Sequence, residues 1–288
     1  MARKTDEKSY HAQITRKKIV RYIVLGLLTI ICLFPLYVMV INSSHESKEI
    51  SRGLLLLPGS WFFKNLTNTL TDASIPILRG LLNSLFISAC CAVLTTYAST
   101  LTAYAVHAYD FKGRKAVQTF ILAIMMIPSQ VTALGFYDLM KSFGLLDNYI
   151  PLIIPTIAAP IVYFFMLQYM QGSLPLEIVE AARIDGSGEF RTFNSIVLPI
   201  MKPAIAVQAI FAFVTNWNNY FTPNLIIKSQ KLYTLPIIIA KLRAADFISF
   251  DNGKIYMAMV LSILPVVIVY LFLSRYIIQG VAVGSVKG

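Results

Sequence analysis

The sequence predicts an all-α integral membrane protein with six transmembrane helices and both termini in the cytoplasm. Three observations point there. The 288 residues are 57% hydrophobic and only 14% charged, against about 25% charged in a soluble domain. The 39 charges avoid six windows, 22–45, 80–109, 116–137, 148–176, 203–227 and 255–274. Basic residues are also unequally shared between the segments that join those windows.

Each window has the length to cross a bilayer, which takes about 20 apolar residues in a helix. The windows predict helices over 20–41, 80–107, 116–137, 149–170, 204–222 and 255–278. This composition excludes a soluble enzyme and a secreted disulfide scaffold. It also opposes an outer-membrane barrel, whose strands alternate apolar and polar over about 10 residues. The three cysteines, Cys32, Cys90 and Cys91, all lie inside windows and read as buried small hydrophobes. The net charge of +11 reads as lipid contact and orientation, not nucleic-acid binding.

The chain divides into a cytoplasmic segment 1–19, a membrane domain 20–278 and a cytoplasmic tail 279–288. Arg16, Lys17, Lys18 and Arg21 precede the first apolar run. That run exceeds a signal-peptide core and reads as an uncleaved first helix. With the N-terminus inside, cytoplasmic segments hold 15 Lys and Arg and external segments 10. The positive-inside rule therefore places both termini in the cytoplasm. Loop 223–254 dissents, with five basic residues on the outside.

The first external loop, 42–79, carries Leu54–Leu57, Trp61, Phe62 and Phe63. Such stretches lie in the membrane interface, here as a small lid-like helix. The second helix carries Ser84, Ser88, Ala92, Thr96 and Thr100 at four-residue spacing. Two readings stay open, a close helix–helix seam and a polar translocation face. Pro35, Pro128, Pro155, Pro160 and Pro265 predict kinks.

Several chemistries are missing. No window holds Asp, Glu, Lys or Arg, which disfavours ion coupling through carboxylates. Gly253-Lys254 is followed by Ile255, so there is no phosphate-binding loop. No metal-ligand spacing and no Ser–His–Asp set is legible. The chain is expected to hold no metal, no cofactor and no catalytic residue.

Loop 171–202 is the informative interval. Pro175, Glu177 and the pattern Leu176, Ile178, Val179, Ala181, Ala182, Ile184 predict an amphipathic helix. Gly186 and Gly188 then turn the chain, and a second short helix over 189–197 is expected to stop at Pro199. The physical alternatives are a docking element and a solvated connector.

Here the chain resembles the permeases of binding-protein-dependent ABC importers. Their motif of Glu-Ala-Ala, three residues, Gly, nine residues, Ile-x-Leu-Pro is matched by Glu180, Ala181, Ala182, Gly186, Ile196, Leu198 and Pro199. Similarity extends over 79–288, through Ala103-Tyr104-Ala105, Phe143–Asn148, Trp217-Asn218 and the glycine-rich ending. It points to the second, G-type permease of the carbohydrate branch, for maltose- and oligosaccharide-type substrates. Asn219 stands where relatives often have an acid, and His107 where Arg is frequent.

The resemblance implies the type I importer permease fold in a bacterial or archaeal cell membrane. It implies a heterodimer with a second permease, two ATPase subunits that bind ATP and Mg, and an extracytoplasmic solute-binding protein. It implies that 177–199 couples to the ATPase, with Glu180 as a charge contact, Ala181 and Ala182 as the close approach and Gly186 as the turn. The tail residues Gly284, Val286, Lys287 and Gly288 would also touch the ATPase. Candidate substrate-pathway residues are Asn83, Asn216, Trp217, Asn218, Asn219 and Tyr220, because amides and aromatic rings suit sugars. The rival reading is a self-sufficient secondary transporter, which would need two three-helix repeats that are not visible.

Overall fold

The computed structural model describes residues 2–72, 76–244 and 251–284, with side chains over 17–72, 76–128, 130–244 and 251–274. The described residues are mostly helical and contain no strand. They fall into two units, one of residues 1–71 and 246–260, the other of 72–245 and 261–288.

In the first unit, α1 runs Ala2–Asn42 and its apolar side chains from Ile19 to Val40 stand exposed. A contiguous apolar flank of that kind needs lipid or a partner. The short α2 (Ser47–Ile50) and α3 (Phe62–Thr71) follow. Asn65 of α3 is buried and donates to the carbonyls of Ser43 and His45 at 2.9 and 2.8 Å. The expected interfacial helix of loop 42–79 is thus tied to the end of α1. The last helix, α15 (Asn252–Gly284), begins in this unit, where its Asn252 amide donates to Ser47 Oγ at 3.0 Å.

The second unit is organised around α4 (Ile77–Ala108). Its 32 residues extend about 48 Å at 1.5 Å per residue. The unit continues through α5 (Arg114–Ile124), α6 (Ser129–Ser142), α7 (Ile150–Ile153) with a 3₁₀ turn over Ile154–Ile157, and α8 (Pro160–Ser173). Next come α9 (Leu176–Ile184), α10 (Glu189–Thr192), a π turn over Phe193–Val197 and α11 (Leu198–Ile200). Then follow α12 (Lys202–Trp217), α13 (Phe221–Ile226) and α14 (Leu235–Arg243).

The four-residue stripe of α4 is a seam. Ser84, Ser88, Ala92, Thr96 and Thr100 are all buried, and α4 packs most extensively against α12 and α8. Two further α4 residues serve the break beside α8. Pro155 and Pro160 have no N–H, so carbonyls there lose helical partners. Thr95 Oγ1 donates to the Thr156 carbonyl at 2.9 Å and Cys91 Sγ to that of Leu152 at 3.4 Å. In lipid, freed backbone groups must be satisfied in this way.

Among the described residues, four helical stretches are long and apolar enough to cross a membrane: 17–42, 77–108, 150–173 and 252–274. A fifth arises if the pair 189–200 and 202–217, bent by 82°, counts as one span. The window 116–137 does not form one straight helix. It divides into α5 and α6, because Pro128 is extended (φ −62°, ψ 128°) and the preceding turns tighten to three-residue hydrogen bonds. The helix expected to stop at Pro199 instead runs on to Ile200. The π turn before it widens the ladder, so the missing proline N–H is absorbed.

Candidate functional site: the 174–200 helical turn

The turn is built by Gly186. Its φ of +76° is left-handed, a region closed to most L-residues. The Gly186 amide donates to the Arg183 carbonyl at 3.0 Å and the Ser187 amide to that of Ala182 at 2.9 Å. This pair is the Schellman arrangement, which satisfies carbonyls at the end of α9. The chain then re-enters helix at Glu189. Thr192, fully buried, donates its hydroxyl to Ser187 Oγ at 2.9 Å and closes the turn from the other side.

Helical spacing divides the residues of α9. Val179 and Ala182 lie three apart and are buried at 1% and 6% exposure. Val179 joins a core with Tyr104, Met170, Phe193 and Val197. Glu180 and Ala181 are exposed. The expectation that both alanines form an open approach surface is therefore corrected: Ala182 faces its own chain and only Ala181 is open. Ile184 and Phe190 flank the turn with 86% and 72% of their surface exposed. The sequence places Ile184 only in the apolar pattern of α9 and gives Phe190 no role, because an apolar residue at a helix end reads there as core.

A polar brace holds the turn to the end of α4. Arg183 Nε donates to Glu189 Oε1 at 2.7 Å, and the Tyr104 hydroxyl donates to Glu189 Oε2 at 2.9 Å. The Arg183 guanidinium lies 5.1 Å from the centre of the Tyr109 ring, within cation–π range. The Tyr104 and Phe193 rings are 5.7 Å apart. His107 Nε2 hydrogen-bonds the Leu174 carbonyl at 3.0 Å. Hydrogen bonds from Arg183 and then Tyr109 hold the Glu189 carboxyl below its ordinary value of 4.5. No sequence spacing announces this set, since Tyr104 and Glu189 are 85 residues apart.

The lowered carboxyl gives a pH dependence with a definite sign. The brace is intact above the ordinary carboxylate range and is lost as pH falls through the lowered value. A nitroxide on Asp185→Cys should stay immobile from neutral pH down to about 4.5 and gain mobility below it. With Glu189→Gln added, the label should be mobile already at neutral pH. An unchanged spectrum in both cases contradicts the brace.

The remaining motif residues sit elsewhere. Ile196 and Leu198 are half-buried and Pro199 is exposed, beside the 82° bend. Leu198 and Pro199 line an apolar groove of about 560 Å³ with Val93, Tyr97 and Ile205. Of the tail residues, Gly284 ends α15, while Val286, Lys287 and Gly288 lie outside the described residues.

The structure also sorts the pathway candidates. Asn216 and Asn219 line a cavity of about 280 Å³ at the other end of the unit. Trp217 does not face it. It is buried, stacks on Phe213 at 5.7 Å and donates Nε1–H to the Ser262 carbonyl at 3.1 Å, so it is a packing residue. With Asn218 it borders a separate cavity of about 250 Å³. Asn83 also acts on the backbone, donating to the carbonyls of Lys231 and Tyr233 at 3.0 and 2.9 Å. Tyr220 is exposed. Asp147, at φ +58°, accepts the Lys228 and Ser229 amides at 2.9 and 2.8 Å. The Ser229 hydroxyl, and then those two amides, keep its carboxyl below the usual range.

The model of the binding-protein-dependent transport system inner membrane component family matches residues 98–283. The arabinooligosaccharides transport system permease protein AraQ of Bacillus subtilis (strain 168) is 35% identical over 268 residues, 91% of this chain and 93% of that one. The trehalose/maltose transport system permease protein MalG of Thermococcus litoralis is 30% identical over 275 residues, 94% and 98% of the two chains. In fold, the chain is similar to a subunit in the crystal structure of a bacterial ABC transporter that imports the acidic polysaccharide alginate. The TM-score is 0.78 at 22% identity, over 90% of this chain and 95% of that one. The chain belongs to the family of binding-protein-dependent transport system inner membrane components.

Proposed function

We propose that the chain is one permease of a heterodimeric, ATP-driven importer for a sugar or oligosaccharide in a bacterial or archaeal cytoplasmic membrane. The observation that carries the coupling assignment is the braced turn, rigid in its own chain yet presenting Glu180, Ala181, Ile184 and Phe190 outward. A solvated connector has no need of two exposed apolar side chains at its apex. The names of the relatives support a carbohydrate substrate, since AraQ and MalG are named for arabinooligosaccharides and trehalose/maltose.

In this reading the chain crosses the membrane six times, with the broken α5–α6 pair forming one crossing and α12, beyond the 82° bend, beginning another. Both termini and the 177–199 loop lie in the cytoplasm, consistent with the distribution of Lys and Arg. Two ATPase subunits bind ATP and Mg and close on each other. A loop seated on each of them moves as a rigid body, and the brace to Tyr104 carries that motion into α4. The access of the pathway then changes sides. Nucleotide drives this switch only through its different affinity for the two states. A solute-binding protein delivers the sugar outside. The residues that meet the ATPases are Glu180, Ala181, Ile184 and Phe190, with Gly186 setting the turn and the tail 284–288 adding contacts. Ala182, Ile196 and Leu198 shape the loop from within, and Pro199 stands exposed beside the bend that ends it.

Glu180 should pair with a basic ATPase residue. Glu180→Lys is expected to cut ATP-driven uptake at least tenfold while the chain still inserts, since Glu180 is exposed. Cysteine cross-linking from Ala181→Cys checks the seat itself. A cross-link to the ATPase that changes with nucleotide supports the assignment, and cross-linking only to lipid or to the other permease opposes it.

A further inference from the structure

In the first unit, residues 51–60 form a non-helical strap between α2 and α3. The strap folds back on the end of α1. The Gly59 amide donates to Ser44 Oγ and the Trp61 amide to the Ser44 carbonyl, both at 2.8 Å. The Tyr37 hydroxyl donates to the Leu56 carbonyl. So close an approach requires Gly59, because a Cβ there would run into the Ser44 carbonyl oxygen and stand 2.8 Å from His45 Nδ1. The strap turns Leu54 and Leu57 outward, 64% and 78% exposed.

His45 fastens this fold. Its Nδ1 lies 2.7 Å from Glu49 Oε2, and its Nε2 lies 2.8 Å from the Leu57 carbonyl oxygen. A carbonyl oxygen only accepts hydrogen bonds, and so does an ionised carboxylate. The Glu49 side chain is 47% exposed, and a carboxyl in water is ionised above about 4.3. Near neutral pH both ring nitrogens must therefore carry protons, and the ring is a cation. A neutral imidazole has one N–H and would turn a lone pair toward one of the two oxygens, so one bond is lost. Arg52 lies beyond Glu49 and adds a weaker attraction to that carboxylate. The other charges of the unit are engaged elsewhere: Lys64 lies over the Trp61 ring at 3.5 Å, and Asp251 accepts the Lys254 amide at 3.2 Å.

We propose that His45 is a proton-binding site on the outer face of the protein, and that its proton clasps the 51–60 strap to α2. Acidic medium closes the strap and alkaline medium releases it, which frees the Leu54–Leu57 edge. The hydrogen bond to the Leu57 carbonyl, and then the one to Glu49, hold the ring's pKa above its ordinary 6.5. The clasp is therefore complete below 6.5 and is lost as pH rises through the raised value. The His45 hydrogen bond holds the Glu49 carboxyl below its ordinary 4.5, so the pair fails at the acid end only as pH falls through that lowered value. A histidine with this range responds to the pH changes that a cell surface meets. The outer placement rests on the topology proposed above, whereas the clasp itself does not.

The test uses the complete transporter in proteoliposomes, oriented with the ATPases inside, and with Cys32, Cys90 and Cys91 replaced by alanine. A nitroxide on Leu54→Cys reads the strap, and the ring nitrogen resonances of labelled histidine, assigned by their loss in His45→Gln, read the proton. At about pH 6 the label should be immobile and both His45 nitrogens protonated. At about pH 9, beyond the range of histidine, the ring should be neutral and the immobile component lost. The two midpoints should coincide, above 6.5. Glu49→Gln removes the charge at constant size and should bring the midpoint down toward 6.5. His45→Gln, which cannot donate to both oxygens, and Gly59→Ala, which separates the strap from Ser44, should leave the label mobile at every pH. An immobile label at both pH values overturns the clasp, as does a pH response that survives His45→Gln, or a neutral ring beside an immobile label. A response to the inner buffer alone overturns the proposed topology instead, and is distinct from a label that ignores pH.

Discussion

Replacing Ile184 and Phe190 together by aspartate should detach the ATPase subunits while leaving the chain folded in the membrane. The two side chains are 86% and 72% exposed in the isolated chain, so their removal costs the fold little. Their burial in a partner's cleft would be worth about 1.5–3 kcal/mol each. Losing both, about 3–6 kcal/mol, weakens binding by roughly 10²–10⁴. Co-purification at micromolar protein should fall from stoichiometric to undetectable, and sugar-stimulated ATP hydrolysis should vanish with it. Each single variant should show an intermediate loss. Aspartate at Leu176, which is 41% exposed and farther from the turn, should do much less. Retained co-purification by the double variant would move the docking surface away from this turn.

Gly186→Leu should have the next largest effect, by a different route. A Cβ at Gly186 would meet no atom within 4 Å, so its own chain offers no clash. The cost is conformational, because φ is +76° and an L-residue there loses about 1–2 kcal/mol. Relaxing that strain breaks the two Schellman bonds and swings Ile184 and Phe190 out of register. A leucine that keeps the turn instead projects into the space where the partner would sit. Either way, ATP-driven uptake should fall at least tenfold. Gly186→Asn separates the two causes, since Asn tolerates the left-handed region. It should retain the turn and most of the activity, measured as uptake and as amide protection of Ser187. Equal loss in Leu and Asn would place the fault in bulk at the interface rather than in the turn.

Much of this was legible, and the failures have physical causes. The span of α4, expected at 80–107, is Ile77–Ala108, because a long charge-free run admits one solution in lipid. The stripe Ser84–Thr100 is a seam, as its small side chains suggested. The charge-free window 116–137 predicts one helix, yet Pro128 breaks it into α5 and α6. Proline announces a kink without stating its size. Pro199 predicts a stop, yet a π turn carries the helix past it, and no composition signals such a turn. Within the candidate site, the helix, the Gly186 turn and the re-entry near Glu189 follow from local rules. Long-range closure was not legible. Tyr104 and Tyr109 meet Glu189 and Arg183 only once α4 packs beside the turn. Trp217 looked available as a sugar platform, but its indole is spent on Phe213 and Ser262.

In the proposed function, this chain transports only as the membrane part of an ATP-driven assembly. The direct measurement is solute uptake by proteoliposomes holding either the chain alone or the chain with its partner permease, ATPases and binding protein. Uptake that requires the full set and internal ATP, and persists when ion gradients are collapsed, is the result expected. Gradient-driven uptake by the chain alone, indifferent to ATP, would contradict it.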